Sequence, residues 1–579
     1  MSGRALSENA LKILRARYLL KDPKGRIVET PEQMFRRVAK AVSGAERGYG
    51  SSPSMWEERF FELMSDLRFL PNSPALMNAG KKEGQLAACF VLPVEDSMQG
   101  IFSTLKDAAI ILKSGGGTGF SFSNLRPSDD IVSTTGGVAS GPVSFMRIYN
   151  TATDVIKQGG TRRGANMGVL RVDHPDILDF IHLKRQTHEL ENFNISVSIS
   201  DSFMRTLRAN RNYYLVHPHT GKRSNKKLPA RKVFDEIVRS AWLTGDPGVV
   251  FMDRINRKNP TPNIGAIECT NPCGEQPLLP YEACVLGSFD LSKYIVDNKV
   301  DYIRLENDIS WAVRFLDDAI DVNKYPLPQI EEMHKGNRKI GLGVMGWADM
   351  LVLLGVPYNS KKALRLAYKL MRFIQKSAWA ASSEIASKRG VFKNFKGSVF
   401  DKKGGIRPRN ATVTTIAPTG TLSIIAGCSS GIEPVFALSN KRLALGTVLF
   451  EENRYFIEMA KDRGFYSTAL LKEVRSRGNL KGVKGVPADI RGLFKTAHEI
   501  TPDQHIRMQA AFQKYTDNAV SKTINLREKT TKKEVEGAFM LAYELGCKGI
   551  TVFRYDSAKP GTLMLRKNKK TGRPVRKNK

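Results

Sequence analysis

Short strand-like runs alternate with long amphipathic segments over most of the chain, and this alternation restricts the fold more than any other feature. The strand-like runs are residues 88–94, 119–125, 165–172, 193–199, 283–291, 411–418 and 548–555. Segments with apolar residues at helical spacing, such as 142–158 and 362–387, lie between them. Strands separated by long helices are typical of a large α/β domain. At 579 residues the chain exceeds the usual size of one core, unless that core is a large α/β barrel.

The two ends of the chain differ from this middle part. Residues 1–66 carry apolar residues at helical spacing, interrupted by glycines and prolines, and predict a small helical N-terminal region. Residues 557–579 are rich in Lys, Gly and Pro and predict a basic flexible tail. The predicted α/β domain therefore spans residues 67–556.

The formal net charge of +33 is unusual for a chain of ordinary hydrophobicity. Such a charge favours polyanionic partners, and it also suits an enzyme with nucleotide substrates. A basic nucleic-acid-binding protein is one hypothesis, but we find no signature of a known nucleic-acid-binding motif, so we expect only non-specific binding. The longest apolar runs are too short for a membrane span, and the first residues resemble no signal peptide, which predicts a cytoplasmic protein.

Six cysteines are scattered irregularly along the chain: Cys89, Cys269, Cys273, Cys284, Cys428 and Cys547. They are too few for a disulfide scaffold of this length. In a reducing compartment, scattered thiols are buried core residues, metal ligands or redox groups, and core is the commonest of these roles.

The segment 268–292 holds the densest group of reactive side chains. Asn271, Cys273 and Glu275 alternate, and Pro272 and Gly274 between them argue against a helix. In an extended loop, residues two apart point the same way, so an amide, a thiol and a carboxylate would converge. This arrangement predicts an active site, although Asn-Pro-Cys-Gly also suits a plain turn.

Cys89 and Cys284 each lie in a strand-like run. On adjacent barrel strands their Cα atoms would fall within the disulfide range of roughly 4.4–6.8 Å. A thiol on a loop above them would complete a set of one radical-forming and two reducing thiols. Zinc is the competing explanation for grouped cysteines, but Cys269 and Cys273 have neither a CxxC spacing nor a nearby histidine.

Two glycine-rich stretches are candidates for phosphate binding. Residues 113–122 lack the Gly-Lys-Ser/Thr ending of a P-loop, and close backbone packing is the commoner reason for such glycines. Residues 418–427 follow a predicted strand and precede a possible helix, so their hydroxyl and N–H groups would suit a phosphate.

Together these segments resemble a known family, the catalytic subunits of ribonucleotide reductases, and most closely the adenosylcobalamin-dependent class II enzymes. The matching segments stand in the family's order and cover nearly all of residues 60–556. They are residues 68–80, 86–127, 136–181, 271–284, 337–351, 417–434, 517–526 and 546–555.

The resemblance implies a ten-stranded α/β barrel of two five-stranded halves, with a central finger loop that carries Asn271, Cys273 and Glu275. It also implies a thiyl radical on Cys273, formed with adenosylcobalamin, which takes the 3′ hydrogen of the substrate ribose. Glu275 would act as base on the 3′-hydroxyl and Asn271 would hold the sugar hydroxyls. Cys89 and Cys284 would supply two electrons and end as a disulfide.

The resemblance also implies binding sites for a ribonucleotide substrate and a dNTP effector. The substrate residues would be Ser73, Ala88 and Gly117, with Pro418, Thr419, Gly420, Thr421 and Leu422, the last five at the phosphates. The effector residues would be Lys113, Lys157, Gln158 and Arg162, at the interface of a homodimer formed through the helix at 142–158. Alternatively, Arg162 belongs to the general basic surface.

Three departures from the family pattern change the expectations. The chain has no room for an N-terminal ATP-cone, so we expect no overall control by ATP and dATP. No cysteine follows Cys547, so the reductant would be thioredoxin, a separate dithiol protein, or a pair lost by truncation. Ser103 replaces an expected acidic residue of the effector site.

The nearest rival is a class I catalytic subunit, which receives its radical from a separate subunit through a tyrosine pair near the C-terminus. The corresponding region, residues 549–557, has no adjacent tyrosines, and Tyr213 and Tyr214 stand in an unrelated context. Class II is therefore favoured, with ribonucleoside diphosphates as the expected substrates.

Overall fold

A computed structural model of the chain describes residues 6–131, 136–156, 164–185, 189–444, 447–555 and 563–565. The α-helices are α1 (Glu8–Ile13), α2 (Pro31–Ser43), α3 (Pro53–Ser65), α4 (Ser73–Asn78), α5 (Met98–Lys113), α6 (Gly141–Val155), α7 (Ile177–His182), α8 (Asp201–Arg208), α9 (Ala230–Thr244), α10 (Met252–Asn256), α11 (Tyr302–Val322), α12 (Pro328–Asn337), α13 (Trp347–Leu353), α14 (Lys361–Arg389), α15 (Gly420–Ala426), α16 (Arg454–Asp462), α17 (Thr468–Arg477), α18 (Ala488–Leu493), α19 (Pro502–Gln513) and α20 (Lys532–Glu544).

The strands are β1 (Phe69–Pro71), β2 (Cys89–Leu92), β3 (Gly117–Ser121), β4 (Asn166–Arg171), β5 (Phe193–Ile199), β6 (Asn212–Val216), β7 (Arg223–Pro229), β8 (Gly248–Phe251), β9 (Cys269–Thr270), β10 (Pro277–Leu278), β11 (Ala283–Asp290), β12 (Ile295–Val296), β13 (Lys299–Val300), β14 (Ile340–Met345), β15 (Ser439–Ala444), β16 (Thr447–Glu452), β17 (Thr523–Leu526), β18 (Gly549–Arg554) and β19 (Leu563–Leu565).

The N-terminal region is helical because its helices begin at strong capping residues and bury one apolar face. Thr30 caps α2 in a capping box with Gln33, and Ser52 caps α3. The buried faces of both helices belong to the main core. The buried carboxylate of Glu46 joins this region to the barrel through ion pairs of 2.6 Å with Arg314 and with Arg389.

The barrel consists of two parallel halves. The first half runs β2, β3, β4, β5 and β8, each parallel to the next. In the second half β11 is parallel to β14, and β17 is parallel to β18. Residues 412–416 connect these two pairs through parallel bridges from Thr414 to Leu342 and from Ile416 to Val520.

The halves are joined by antiparallel pairs, β2 with β11 and β8 with β18, so the strands close into a ring. The predicted ten-stranded α/β barrel of two five-stranded halves is therefore confirmed. The strand predicted at 411–418 is reduced to the two isolated bridges. The Asp517 carboxylate accepts hydrogen bonds from the N–H groups of Val413 (3.2 Å) and Thr414 (3.0 Å), which a regular ladder would otherwise use.

The finger loop, residues 269–278, is a short hairpin of β9 and β10 that lies against the inner wall of the barrel. Gly119 on β3 makes this contact possible, since a Cβ added there would stand 1.9 Å from the carbonyl oxygen of Thr270. At the tip of the finger Gly274 has a φ of +80°, which favours glycine in the turn.

A smaller apolar core lies beside the barrel, around α16, α17 and α18. The hairpin of β15 and β16 precedes these helices, and β19 pairs with β15. β19 lies inside the segment predicted as a flexible tail, most of which falls outside the described residues. The domain limits at residues 66 and 556 stay predictions. In the described part of the chain, no helix is both long enough and apolar enough to cross a membrane.

Candidate active site

The finger tip is a tight turn that Asn271 holds closed. Its N–H donates to the Gln276 carbonyl (3.1 Å), its side-chain oxygen accepts from the Gln276 N–H (3.0 Å), and its carbonyl accepts from the Gly274 N–H (3.0 Å). Asn194 on β5 donates to the Pro272 carbonyl at 2.8 Å and fixes the same turn from the barrel wall. The backbone of Asn-Pro-Cys-Gly therefore forms a turn, which is one of the two conformations expected from the sequence.

The second half of the barrel holds the finger at Glu275. The Glu275 carbonyl accepts hydrogen bonds from the Ala519 N–H and from the Thr415 hydroxyl, both at 2.9 Å. Glu275 itself is only 3% exposed. Both halves of the barrel thus hold the backbone of the finger at this residue.

Cys89 and Cys284 stand directly opposite each other at the antiparallel junction of β2 and β11. Directly opposed residues of antiparallel strands have Cα atoms roughly 4.5–5.5 Å apart, within the range that a disulfide spans. Both cysteines carry free thiols and both are buried. The pairing expected from the sequence is therefore the one that the strand register gives.

Of the three finger side chains, that of Asn271 contacts this cysteine pair directly. The Asn271 amide donates to the Cys89 sulfur at 3.1 Å. Burial raises the pKa of the Cys89 thiol well above its usual range, and electrostatic interactions with Glu275, Cys284 and Cys273 raise it further. The Cys273 thiol itself is exposed, in contrast to the pair.

A buried ion pair lies beside Cys284. The Lys339 ammonium stands 2.6 Å from the Glu282 carboxylate, and both side chains are 1% exposed. Burial raises the pKa of Cys284 well above its usual range, and the positive charge of Lys339 opposes this rise. Both thiols of the pair consequently keep their protons at neutral pH.

Cys273 faces a large cavity of about 810 Å³. The wall includes residues of both halves, among them Asn194 on β5 and Ile550 on β18. Space is open beside the thiol, because a Cβ added at Gly274 would meet no atom within 4 Å. The thiol therefore lies at an accessible cavity, whereas Cys89 and Cys284 are absent from the cavity wall.

Three predicted substrate residues lie around the cysteine pair. The Ala88 N–H donates to the Cys284 carbonyl (3.2 Å), and the Gly117 N–H donates to the Ala88 carbonyl (2.8 Å). Ser73 begins α4, where its hydroxyl is 2.7 Å from the Tyr18 hydroxyl. The preceding residue, Asn72, donates to the carbonyl of Leu286, two residues beyond Cys284.

The predicted phosphate loop approaches from the cavity side. Pro418 lines the cavity, and Gly420, Thr421 and Leu422 form the first turn of α15. Thr419 has a left-handed φ of +50°, and its hydroxyl accepts a hydrogen bond from the Gly431 N–H at 2.7 Å. This strained backbone is held by a loop of the barrel, which fixes the start of the helix.

The effector site is described only in part. Lys113 is the exposed last residue of α5. Lys157, Gln158 and Arg162 lie outside the described residues. Among the described residues, no group of three or more His, Cys, Asp or Glu side chains is arranged to hold a metal ion.

Lys339 and Asn194 were not singled out by the sequence. Lys339 does carry one local signal, a charged residue directly before the apolar strand β14. Asn194 interrupts the apolar run of β5 in the same way. A buried polar residue in or beside a strand needs a partner, and here both partners lie near the cysteine pair or the finger.

Comparisons with known proteins agree with this architecture. Residues 4–84 match the family model described as ribonucleotide reductase, all-alpha domain, and residues 87–553 match ribonucleotide reductase, barrel domain. The chain is 49% identical to a vitamin B12-dependent ribonucleoside-diphosphate reductase of Thermoplasma acidophilum, over 99% of this chain and 82% of the relative. It is 50% identical to a protein of the same name from Mycobacterium tuberculosis, over 95% of this chain and 80% of the relative.

A solved structure, the class Id ribonucleotide reductase alpha subunit of Actinobacillus ureae, matches with a TM-score of 0.79 at 22% identity. The match covers 95% of this chain and 98% of that one, and at this identity it supports the fold alone. Two family models that together span most of the sequence lead to one conclusion. The chain belongs to the ribonucleotide reductase family and contains both its all-alpha and its barrel domain.

Proposed function

We propose that this chain is a class II ribonucleotide reductase, which converts ribonucleoside diphosphates to 2′-deoxyribonucleoside diphosphates with adenosylcobalamin as cofactor. The observation that carries the proposal is the opposed pair Cys89 and Cys284 with the finger residues Asn271 and Glu275 beside it. Relatives named vitamin B12-dependent ribonucleoside-diphosphate reductases, at 49% and 50% identity, support the cofactor and the diphosphate substrate.

The cavity beside Cys273 would receive the reactive part of a large cofactor. Its volume of about 810 Å³ lies toward the upper end of the range of roughly 300–1,000 Å³ usual for ligand pockets. Ser429, Arg454 and Tyr455 line the same cavity and would hold the polar periphery of such a group. When bound, adenosylcobalamin supplies the organic radical that starts the reaction.

Cys273 carries the radical as a thiyl in this proposal. Its sulfur takes the 3′ hydrogen of the ribose, leaving a carbon radical at C3′. Glu275 accepts the proton of the 3′-hydroxyl, and Asn271 holds the sugar hydroxyls in place. At the end of the cycle the Cys273 thiol returns a hydrogen to C3′ and is again a thiyl radical.

The cysteine pair is the reductant of the sugar. The 2′-hydroxyl leaves as water with one proton from the pair, and the pair gives up two electrons and two protons in all as its S–S bond forms. Their raised pKa values suit this role, because only protonated thiols can supply both hydrogens. Their burial keeps competing oxidants and water away from the carbon radical.

Three further parts of the proposal concern partners. The buried disulfide is reduced again by thioredoxin or a separate dithiol protein in the cytoplasm. A dNTP effector binds near Lys113 and the residues 157–162. Two copies associate through α6, whose Ile148 and Val155 are 40% and 77% exposed, an apolar surface that a partner helix would cover.

One assay tests the reaction and the cofactor together. The purified chain is supplied with a ribonucleoside diphosphate and dithiothreitol, with and without adenosylcobalamin. We expect deoxyribonucleoside diphosphate only when the cofactor is present. A requirement for a second, radical-generating subunit would instead identify a class I enzyme.

The matched variants are Cys273→Ala and Cys428→Ala, since both thiols border the same cavity. The first should lose all turnover yet keep nucleotide binding and its unfolding curve, and the second should retain turnover. Product formation by Cys273→Ala would rule out its thiyl role.

A further inference from the structure

The hairpin of β6 and β7 lies in a long basic stretch of the chain that has no acidic residue. Residues 202–234 contain nine Lys or Arg and not a single Asp or Glu. None of the hairpin residues lines the active-site cavity. The proposed reaction therefore makes no use of this charge.

The hairpin is a two-stranded antiparallel ribbon with one face turned to solvent. Tyr213 is buried on the inner face, where its hydroxyl donates to the Val172 carbonyl at 2.8 Å. Tyr214, its neighbour, is 37% exposed on the outer face. Opposite it in the register stands Lys227, and Arg223 stands opposite Val216.

The nearby carboxylates are already paired with other groups. Asp130 pairs with His217 at 3.0 Å, Asp96 pairs with Arg126 at 2.7 Å, and Asp173 pairs with Arg171 at 2.8 Å. Within the described residues, no ion pair includes the exposed ribbon cations, which are Lys222, Arg223, Lys226 and Lys227. The ribbon thus presents four positive charges that no carboxylate in the described part of the chain pairs with.

Two of these cations are held in place by Tyr214. The Arg223 guanidinium lies 5.2 Å and the Lys227 ammonium 4.6 Å from the centre of its ring. Cation–π contacts restrict the motion of both side chains, so less conformational entropy is lost when they bind anions. The histidine contacts at the turn further fix the ribbon on the body of the protein.

From this arrangement we infer that the β6–β7 ribbon is a binding surface for the phosphate backbone of duplex DNA. A two-stranded ribbon fits the width of the major groove, where its four exposed cations could contact the flanking phosphates. The ring of Tyr214 contacts two of the cations, so its role in this inference is to order the charges. Binding is therefore independent of base sequence.

Salt-dependent binding to a 30-base-pair duplex tests the inference. The whole chain is titrated against a fluorescent duplex, and anisotropy is measured between 50 and 200 mM salt. If all four cations contact phosphates, replacing them by Gln reduces the slope of log K against log salt by about 3.6. Between 50 and 200 mM salt, the affinity of this variant should therefore fall by a factor roughly 100-fold smaller than that of the original chain.

The matched control removes the same charge elsewhere. Lys361, Lys362, Arg365 and Arg372 are exposed on α14, and their replacement by Gln changes the net charge equally. We expect this control to keep most of the affinity and slope. Equal losses in both variants, or no duplex binding at 50 mM salt, would overturn the inference.

A third variant distinguishes the ordering of the cations by Tyr214 from the effect of their charge. Tyr214→Leu keeps every cation but removes the ring that holds two of them. We expect an affinity several-fold weaker with an unchanged salt slope. An affinity equal to that of the original chain would contradict the ordering role of Tyr214.

Discussion

Replacing Gly119 by Ala is predicted to move the finger and thereby stop the reaction. The added Cβ would stand 1.9 Å from the Thr270 carbonyl oxygen and 3.1 Å from the Cys269 sulfur. Ordinary contact begins at 3.4 Å, so the backbone of the finger has to retreat by about 1.5 Å. The neighbour is backbone, so no side-chain rotation can relieve the clash.

The magnitude of the effect follows from that displacement. A shift of about 1 Å in a catalytic group lowers the rate by roughly 100-fold, and overpacking costs about 1–3 kcal/mol of stability. We therefore expect kcat to fall by about 100-fold or more while the protein remains folded. Initial rates of deoxynucleotide formation measure kcat, and urea denaturation measures the free energy of unfolding.

Gly537→Ala is the matched control, because this glycine is exposed on α20 and an added Cβ meets nothing within 4 Å. This substitution should leave kcat unchanged and stabilise the helix by up to about 1 kcal/mol. Alkylation of Cys273 by iodoacetamide reports whether the finger has moved. Full kcat in Gly119→Ala with an unchanged alkylation rate would refute the packing of the finger against β3.

Three further predictions concern the buried groups around the site. Lys339→Met leaves the Glu282 carboxylate buried without its cation, so the free energy of unfolding in urea should fall by about 3–5 kcal/mol. The double variant that also carries Glu282→Gln should recover much of that stability. Equal stability of the single and the double variant would contradict this account. A mild thiol oxidant should join Cys89 to Cys284, detected as a peptide mass lower by two hydrogens, and a link from Cys89 to any other cysteine would contradict the register. Burial raises the pKa of Asp349 to about 7, so the folded chain keeps a proton that the unfolded chain releases near pH 4. The contribution of Asp349 to the free energy of unfolding therefore falls as pH rises from about 4 to 7, and Asp349→Asn should make the stability less dependent on pH in this range. Parallel pH profiles of stability for the original chain and the variant would exclude this role of Asp349.

Several barrel strands, among them β2, β5 and β11, lie within the strand-like runs of the sequence, whereas β8, β14 and β17 lie outside those runs. Residues 411–418 have the composition of a strand, but the Asp517 carboxylate, 103 residues beyond Thr414, accepts hydrogen bonds from two of their N–H groups. No local pattern reveals that Asp517 folds back onto this segment. The resemblance to a family supplied the barrel of two five-stranded halves and its finger loop, which periodicity alone left open.

The active site, too, was predictable in part. The spacing of Asn271, Cys273 and Glu275 pointed to a catalytic loop, and the resemblance connected it with Cys89 and Cys284. The ion pair of Lys339 with Glu282 could not be predicted from the sequence, because its members lie 57 residues apart. Buried pairs of this kind depend on tertiary contacts, so they become visible only when the fold is known.

The junction of β2 with β11 gives the proposed chemistry a mechanical side. Each half of the ring contributes one sulfur, so every turnover would form a disulfide that links the two halves and closes a loop of nearly two hundred residues. Every re-reduction would break this cross-link. A cross-link closing a loop of that length is worth about 5 kcal/mol in the chain-entropy account. The spent enzyme should therefore melt at a higher temperature than the enzyme ready to react.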